Sequence, residues 1–302
     1  MKDSARLLFY LLAVIVGGSI FAPVLFSLGQ FLAAKGMFPA LARYNFESYF
    51  DRAILAAALL FFWPLFRSLH IRDWRDLGLE KNALAARDAI AGFLIAALPL
   101  FAAGAVLIAL RIYSLRHPFL WEKMPVVLVA TIVVPLLEEL LFRGFVLGVL
   151  LRRSSRFVAV ILTSALFAMV HFLKFPATTL PNEHNYWFAG FIAFANSFSQ
   201  FAEPSLIVGG FLTLFLLGCI LADARLVTRS LWLPIGLHAG WIFASGFFSR
   251  GAHRESEALP WIGKNLLVGI VPLSIALVSW ALVRLWINHA RARAIESIPR
   301  TR

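Results

Sequence analysis

The chain reads as an all-α membrane protein, a polytopic helical bundle of about eight transmembrane helices. Three observations predict this. The 302 residues are 61% hydrophobic and only 15% charged, against about 45–50% and about 25% in soluble domains. Mean hydropathy is +0.81. Eight separate segments approach the ~20 mostly apolar residues that one helix needs to cross a bilayer.

The net charge is +12. The basic residues lie between and beside the apolar runs, where anionic lipid attracts them. No basic motif of a nucleic-acid binder accompanies them, so the lipid bilayer is the expected partner and nucleic acid is not. The one cysteine, Cys219, lies in an apolar run. It rules out an internal disulfide or a cysteine metal cage and reads as a small packing residue.

The apolar segments run over 7–31, 53–69, 89–112, 126–151, 157–173, 205–224, 229–248 and 265–287. The first follows Lys2 and Arg6 and is too long for a signal-peptide core of about 7–15 residues, so it is expected to be a first membrane helix. No internal repeat or soluble domain interrupts the series. The expected organisation is one integrated membrane domain: residues 1–125 carry the first helices and an interfacial piece, 126–248 the core, and 249–302 the last helix and a basic tail. Eight spans put both termini on one side. That side carries 17 lysines and arginines against 10 opposite, which predicts cytoplasmic termini.

Two pieces do not read as spans. Residues 70–82 mix charge with Trp74, Leu77 and Leu79, as an interfacial segment does. Trp187, Phe191, Phe194, Phe198 and Phe201 recur at helical spacing, which predicts one apolar stripe on a helix at the membrane surface. Such a helix could also serve as a lateral gate.

The fourth segment contains Glu138, Glu139 and Arg143. Charged groups cost ~2.5–3.5 kcal/mol each near the centre of a membrane helix, so they mark a functional candidate. Glu139 and Arg143 are four residues apart and share a helix face, where they can pair. Glu138 points about 100° away and is left without that partner. Pro135 removes a helix hydrogen bond and is expected to open space beside Glu138. A purely structural Glu–Arg pair would explain Glu139 and Arg143 but not Glu138.

Two of the seven histidines, His171 and His238, lie inside apolar segments. The other five (His70, His117, His184, His253 and His289) fall in loops or at segment ends. Glu138 is 13 residues from the end of its segment and His171 is 14 from the start of the next, about 20 and 21 Å of helix rise. The two levels agree. His238 is 9 residues from the start of its segment, about 14 Å, which predicts that this helix begins earlier, nearer Arg225. A Glu, His, His set admits two chemistries. It could ligate Zn²⁺ with a position left for water, or Glu138 and His171 could activate water with His238 at the oxyanion. The His-Glu-x-x-His zinc signature is absent.

Glu138-Glu139-x-x-x-Arg143, Phe167-x-x-x-His171 and the later membrane histidine His238 resemble the motifs of the CPBP intramembrane proteases, also called the ABI or CAAX-protease-like family. Leu77-Gly78-Leu79 also resembles bacterial members. The similarity covers roughly residues 126–248. It implies a glutamic-type endopeptidase of a bacterial cell membrane that cuts a membrane-associated protein or peptide. In that reading Glu138 and His171 activate the water, Glu139 and Arg143 support them, and His238 contributes to the oxyanion site without a cofactor. One departure stands out. The family's last motif often continues His-x-x-x-Asn, and here the fourth residue after His238 is Ile242, which leaves Trp241 as the nearest side-chain N–H. A non-catalytic relative, such as a bacteriocin-immunity or partner-binding membrane protein, is the first alternative. A transporter using Glu138 and the histidines as a proton relay is the second, without the repeated halves that transporters show.

Overall fold

A computed structural model describes residues 2–68, 79, 84–172, 183–202, 204, 207–255, 261–262, 266 and 269–296. The elements in chain order are helices α1 (Lys2–Ala34), α2 (Phe46–Ser68) and α3 (Ala85–Ala109), strand β1 (Tyr113–Leu115), then α4 (Met124–Glu139). A π-helical segment, Leu140–Val146, joins α4 to the short α5 (Leu147–Leu151). There follow α6 (Arg156–Phe172), α7 (Ala189–Ser197), α8 (Leu212–Thr228), α9 (Trp232–Gly251), strand β2 (Ala252–Arg254) and α10 (Ile270–Glu296).

Each of the eight apolar segments contains a helix among its described residues, and the protein is an all-α integral membrane protein. The count of about eight spans is not confirmed among the described residues. Among the described residues, six helical stretches are long and apolar enough to cross a bilayer: Ala5–Ala34, Phe46–Ser68, Ala85–Ala109, Trp121–Leu151, Gly209–Thr228 and Ile270–His289. Helix α6 is too short for that set, and α9 stands outside it. The reason for α9 is compositional. It carries His238, Arg250, four glycines and two serines, and it buries Leu233, Leu237, His238 and Trp241 against protein, so it needs less apolar surface of its own. The expected interfacial segment at 70–82 falls outside the described residues except for Leu79.

The chain divides into two units, Met1–Arg72 with Leu173–Glu203, and Asp73–Phe172 with Pro204–Arg302. In the first, α1 and α2 run antiparallel: Arg6 Nη1 donates to Ser68 O at 2.7 Å, and Tyr10 Oη donates to Ala58 O at 3.0 Å. Helix α7 meets α1 through small residues. Ala189, Gly190 and Ala193 are buried, and a Cβ on Gly190 would lie 2.1 Å from Ser19 O. Most of the aromatic stripe therefore faces away from this contact. Trp187, Phe191 and Phe198 are exposed, while Phe194 packs into the local core.

In the second unit, α3 and α9 approach until their backbones touch. A Cβ on Gly236 would fall 2.0 Å from Ala89 O, one on Gly240 2.4 Å from Phe93 O, and one on Gly92 2.5 Å from Leu233 O. Small residues at such crossings let membrane helices pack closely. The core around them contains Phe142, Phe167, Leu217, Leu221, Leu237 and Trp241. Beyond the ends of α3 and α9, β1 and β2 pair antiparallel, Ser114 opposite His253. Burial pushes the Tyr113 phenol above its ordinary value, and Arg254 opposite it pulls the other way.

Candidate active site

Four elements of the second unit supply the site. Helix α4 ends on Glu138 and Glu139, the π segment holds Arg143, α6 carries His171 near its end, and α9 carries His238. Helix α4 continues through Pro135 to Glu139, and the departure from α geometry comes at Leu140. The irregularity expected at Pro135 is thus displaced to the turn that carries Arg143. Single π turns inside α-helices recur at functional sites.

Arg143 is enclosed on every side. Its Nη1 donates to Glu139 Oε1 at 2.8 Å and its Nη2 to Gly218 O at 3.2 Å. The guanidinium lies over the Phe167 ring, 4.3 Å from the centroid, a geometry in which the ring face attracts the cation. Arg143 is 1% exposed and Glu139 0%. The predicted Glu139–Arg143 pair is present and sealed from solvent.

His238 bridges the two carboxylates. Its Nδ1 is 2.9 Å from Glu139 Oε1, and its Nε2 is 3.7 Å from Glu138 Oε2. Glu138 and Glu139 leave the helix in different directions, as the 100° step requires, yet one imidazole reaches both. His171 completes the set, with Nε2 3.0 Å from Glu138 Oε2 and Nδ1 2.9 Å from Phe167 O. The side chains of Glu138 and His171 are 25% and 27% exposed, so they form the accessible edge of the cluster.

The acceptors fix which nitrogen of each histidine carries a proton. A carbonyl oxygen only accepts, so His171 Nδ1–H donates to Phe167 O. Glu139 Oε1 already accepts from Arg143, so His238 Nδ1–H donates to the same carboxylate. Both Nε2 atoms are left facing Glu138 Oε2. A bare nitrogen lone pair 3.0 Å from a carboxylate oxygen would be repulsive. One proton between His171 and Glu138 turns that contact into a charge-assisted hydrogen bond.

The expected early start of the helix bearing His238 is not met. Helix α8 continues to Thr228, Arg229 ends it in the left-handed conformation at φ 56°, and α9 begins at Trp232. His238 lies six residues after Trp232, yet it meets Glu138 and Glu139. Counting rise from helix ends assumes a common starting level, which packed helices do not share.

Two contributors were not singled out as site residues. Phe167 lies in the α6 motif, and its ring touches Arg143, His171 and His238 while its carbonyl holds His171. Its spacing of four from His171 was the available signal. Gly218 offers its carbonyl to Arg143, and nothing in the local sequence marks it. Trp241 is buried in the core cluster and Ile242 is partly exposed one turn beyond His238. Among the described residues, no group of three or more His, Cys, Asp or Glu side chains has an arrangement that would hold a metal ion.

Residues 119–244 match the family described as Type II CAAX prenyl endopeptidase Rce1-like. The matched segment covers about two fifths of the chain. It contains Glu138, Glu139, Arg143, His171 and His238 together. No curated protein and no solved structure gave a significant match. Over that segment the chain is similar to the CAAX-protease-like family.

Proposed function

We propose that the protein hydrolyses a peptide bond of a membrane-associated protein or peptide, with water activated by Glu138 and His171. The observation that carries this reading is the convergence of His171 Nε2 and His238 Nε2 on Glu138 Oε2, at 3.0 and 3.7 Å, with that oxygen buried and the rest of the Glu138 side chain a quarter exposed. Water reaching that exposed side gives a proton to the Glu138 carboxylate as its oxygen bonds to the peptide carbonyl carbon. The proton held with His171 passes to the departing amine nitrogen as the C–N bond breaks. His238 turns its Nε2 toward the developing oxyanion, while Glu139 and Arg143 hold its ring. General acid–base groups of this kind contribute about 10²–10⁴ in rate.

The surplus of basic residues on the side of the termini supports cytoplasmic termini in a bacterial cell membrane. The chemistry assigned to Glu138 and His171 uses no cofactor. A second reading, a non-catalytic partner-binding relative, draws on Ile242, which removes one potential oxyanion donor.

The test is cleavage of a panel of membrane-anchored peptides in proteoliposomes, read by mass spectrometry, with and without chelator. The proposal expects cleavage by wild type in chelator and none by Glu138→Gln. Equal cleavage by both proteins would contradict the assigned roles. Activity lost in chelator and restored by Zn²⁺ would replace water activation by Glu138 with metal chemistry. No cleavage of any peptide would favour the partner-binding reading.

A further inference from the structure

A groove of about 380 Å³ lies at the end of α3 and α9, outside the Glu138 cluster. Phe101, Ile108, Phe119, Trp121 and Phe247 line it, and Arg116 stands in its wall. The aromatic rings form one continuous surface: Phe101 to Phe247 at 5.7 Å, Phe247 to Phe119 at 5.2 Å, and Phe119 to Trp121 at 4.4 Å between centroids. This surface accepts an apolar chain and offers little that would order a peptide backbone.

The polar feature is Arg116. Its backbone N–H is tied to Gly251 O at 2.8 Å, which fixes the residue against the end of α9. Its side-chain Nε is buried and has no hydrogen-bond partner among the described residues. A buried guanidinium N–H without an acceptor is unfavourable, and phosphate oxygens suit the guanidinium fork. The surroundings are basic. Arg111, Lys123, Arg250 and Arg254 cluster at this end, against Glu122 and Glu255, and Glu255 is taken up by Ser114 and His253. The groove also sits where the stretches Ala85–Ala109 and Trp121–Leu151 end and begin, and Trp121 is exposed there. Tryptophan at such a level marks the headgroup region of a bilayer.

We propose that this groove is a binding site for an anionic phospholipid, with one acyl chain along Phe101, Phe119 and Phe247 and the phosphate accepting from Arg116. The occupant is a lipid rather than free phosphate, because the apolar wall forms most of the site. One wall belongs to α9, which carries His238, so the lipid braces the helix that reaches both carboxylates.

The experiment is native mass spectrometry of the full-length protein released from nanodiscs of equimolar phosphatidylglycerol and phosphatidylcholine. Wild type is expected to retain phosphatidylglycerol in preference to phosphatidylcholine. Arg116→Gln is expected to retain about fivefold less, as loss of about one surface charge implies. Ala105→Leu, which adds bulk to the groove wall without touching the charge, is expected to lower retention of both lipids. Melting temperatures of the variants identify any that fail to fold, and the other variant then carries the test. Equal retention of the two lipids by wild type would overturn the proposal. So would wild-type retention by either folded variant, or displacement of the bound lipid by millimolar inorganic phosphate.

Discussion

Glu138 and Glu139 are adjacent in sequence and occupy opposite environments. Glu139 belongs to a sealed half, 0% exposed, bonded to Arg143 and His238. Glu138 belongs to an open half, a quarter exposed and set against His171. The 100° step between neighbouring helix residues produces this separation, and the π segment beginning at Leu140 places Arg143 beneath the sealed side. In this account the sealed half positions and the open half reacts. His238 has one nitrogen in each and couples them.

The largest effect that would sharpen this division is on the open half. Glu138→Gln is expected to lower the cleavage rate by about 10³ or more, within the range for general acid–base groups, while the melting temperature stays within about 2 °C of wild type. On the sealed half the signature is reversed. Arg143→Met leaves Glu139 as an uncompensated buried charge and is expected to cost about 3–5 kcal/mol of stability, read by chemical denaturation in detergent. Replacing both partners, as Glu139→Leu with Arg143→Met, is expected to recover most of that stability, since buried ion pairs exchange for apolar residues at little cost. Activity is expected to stay low, because His238 loses the acceptor on Nδ1. A double variant that recovered both would break the comparison.

Smaller effects bear on how α9 presents His238. Gly236→Ala forces a Cβ to within 2.0 Å of Ala89 O, so α9 must move. About 1–3 kcal/mol of destabilisation is expected, as for other overpacked sites, with a fall of about tenfold in rate from displaced His238. The smallest change is expected from Ile242→Asn. It adds an amide donor one turn beyond His238 and is expected to raise the rate by up to about tenfold, short of the ~10²–10³ that losing an optimised oxyanion donor costs. Full rate curves for these variants in one peptide assay rank the effects.

The helical segments and the composition of the site were legible in the sequence, because both depend on local periodicity and on the cost of charge in apolar helices. The pairing of Glu139 with Arg143 followed from helical spacing alone. The bond from His238 to Glu139 was not legible, since it joins residues 99 apart through the meeting of α9 with α4. Depth counting misplaced the start of the helix bearing His238, because helix ends do not share one level. The π segment was hidden for a related reason: Leu140–Val146 has the composition of an ordinary apolar helix, and Pro135 drew attention to the wrong turn. The strands at Tyr113–Leu115 and Ala252–Arg254 are three residues each and carry no alternation long enough to read. The aromatic series from Trp187 predicted one helical stripe, yet only Phe191 and Phe194 lie in α7, with Trp187 and Phe198 in 3-10 turns on either side; the contact side of α7 was set by Ala189, Gly190 and Ala193, whose small size becomes informative only against Ser19.

The most direct test of the division is a paired measurement on His171→Ala: the cleavage rate of one membrane peptide in proteoliposomes, and the melting temperature of the same preparation. The account predicts a rate lower by about 10³ with a melting temperature within about 2 °C of wild type. A wild-type rate, or a loss of rate that simply follows a lower melting temperature, would contradict it.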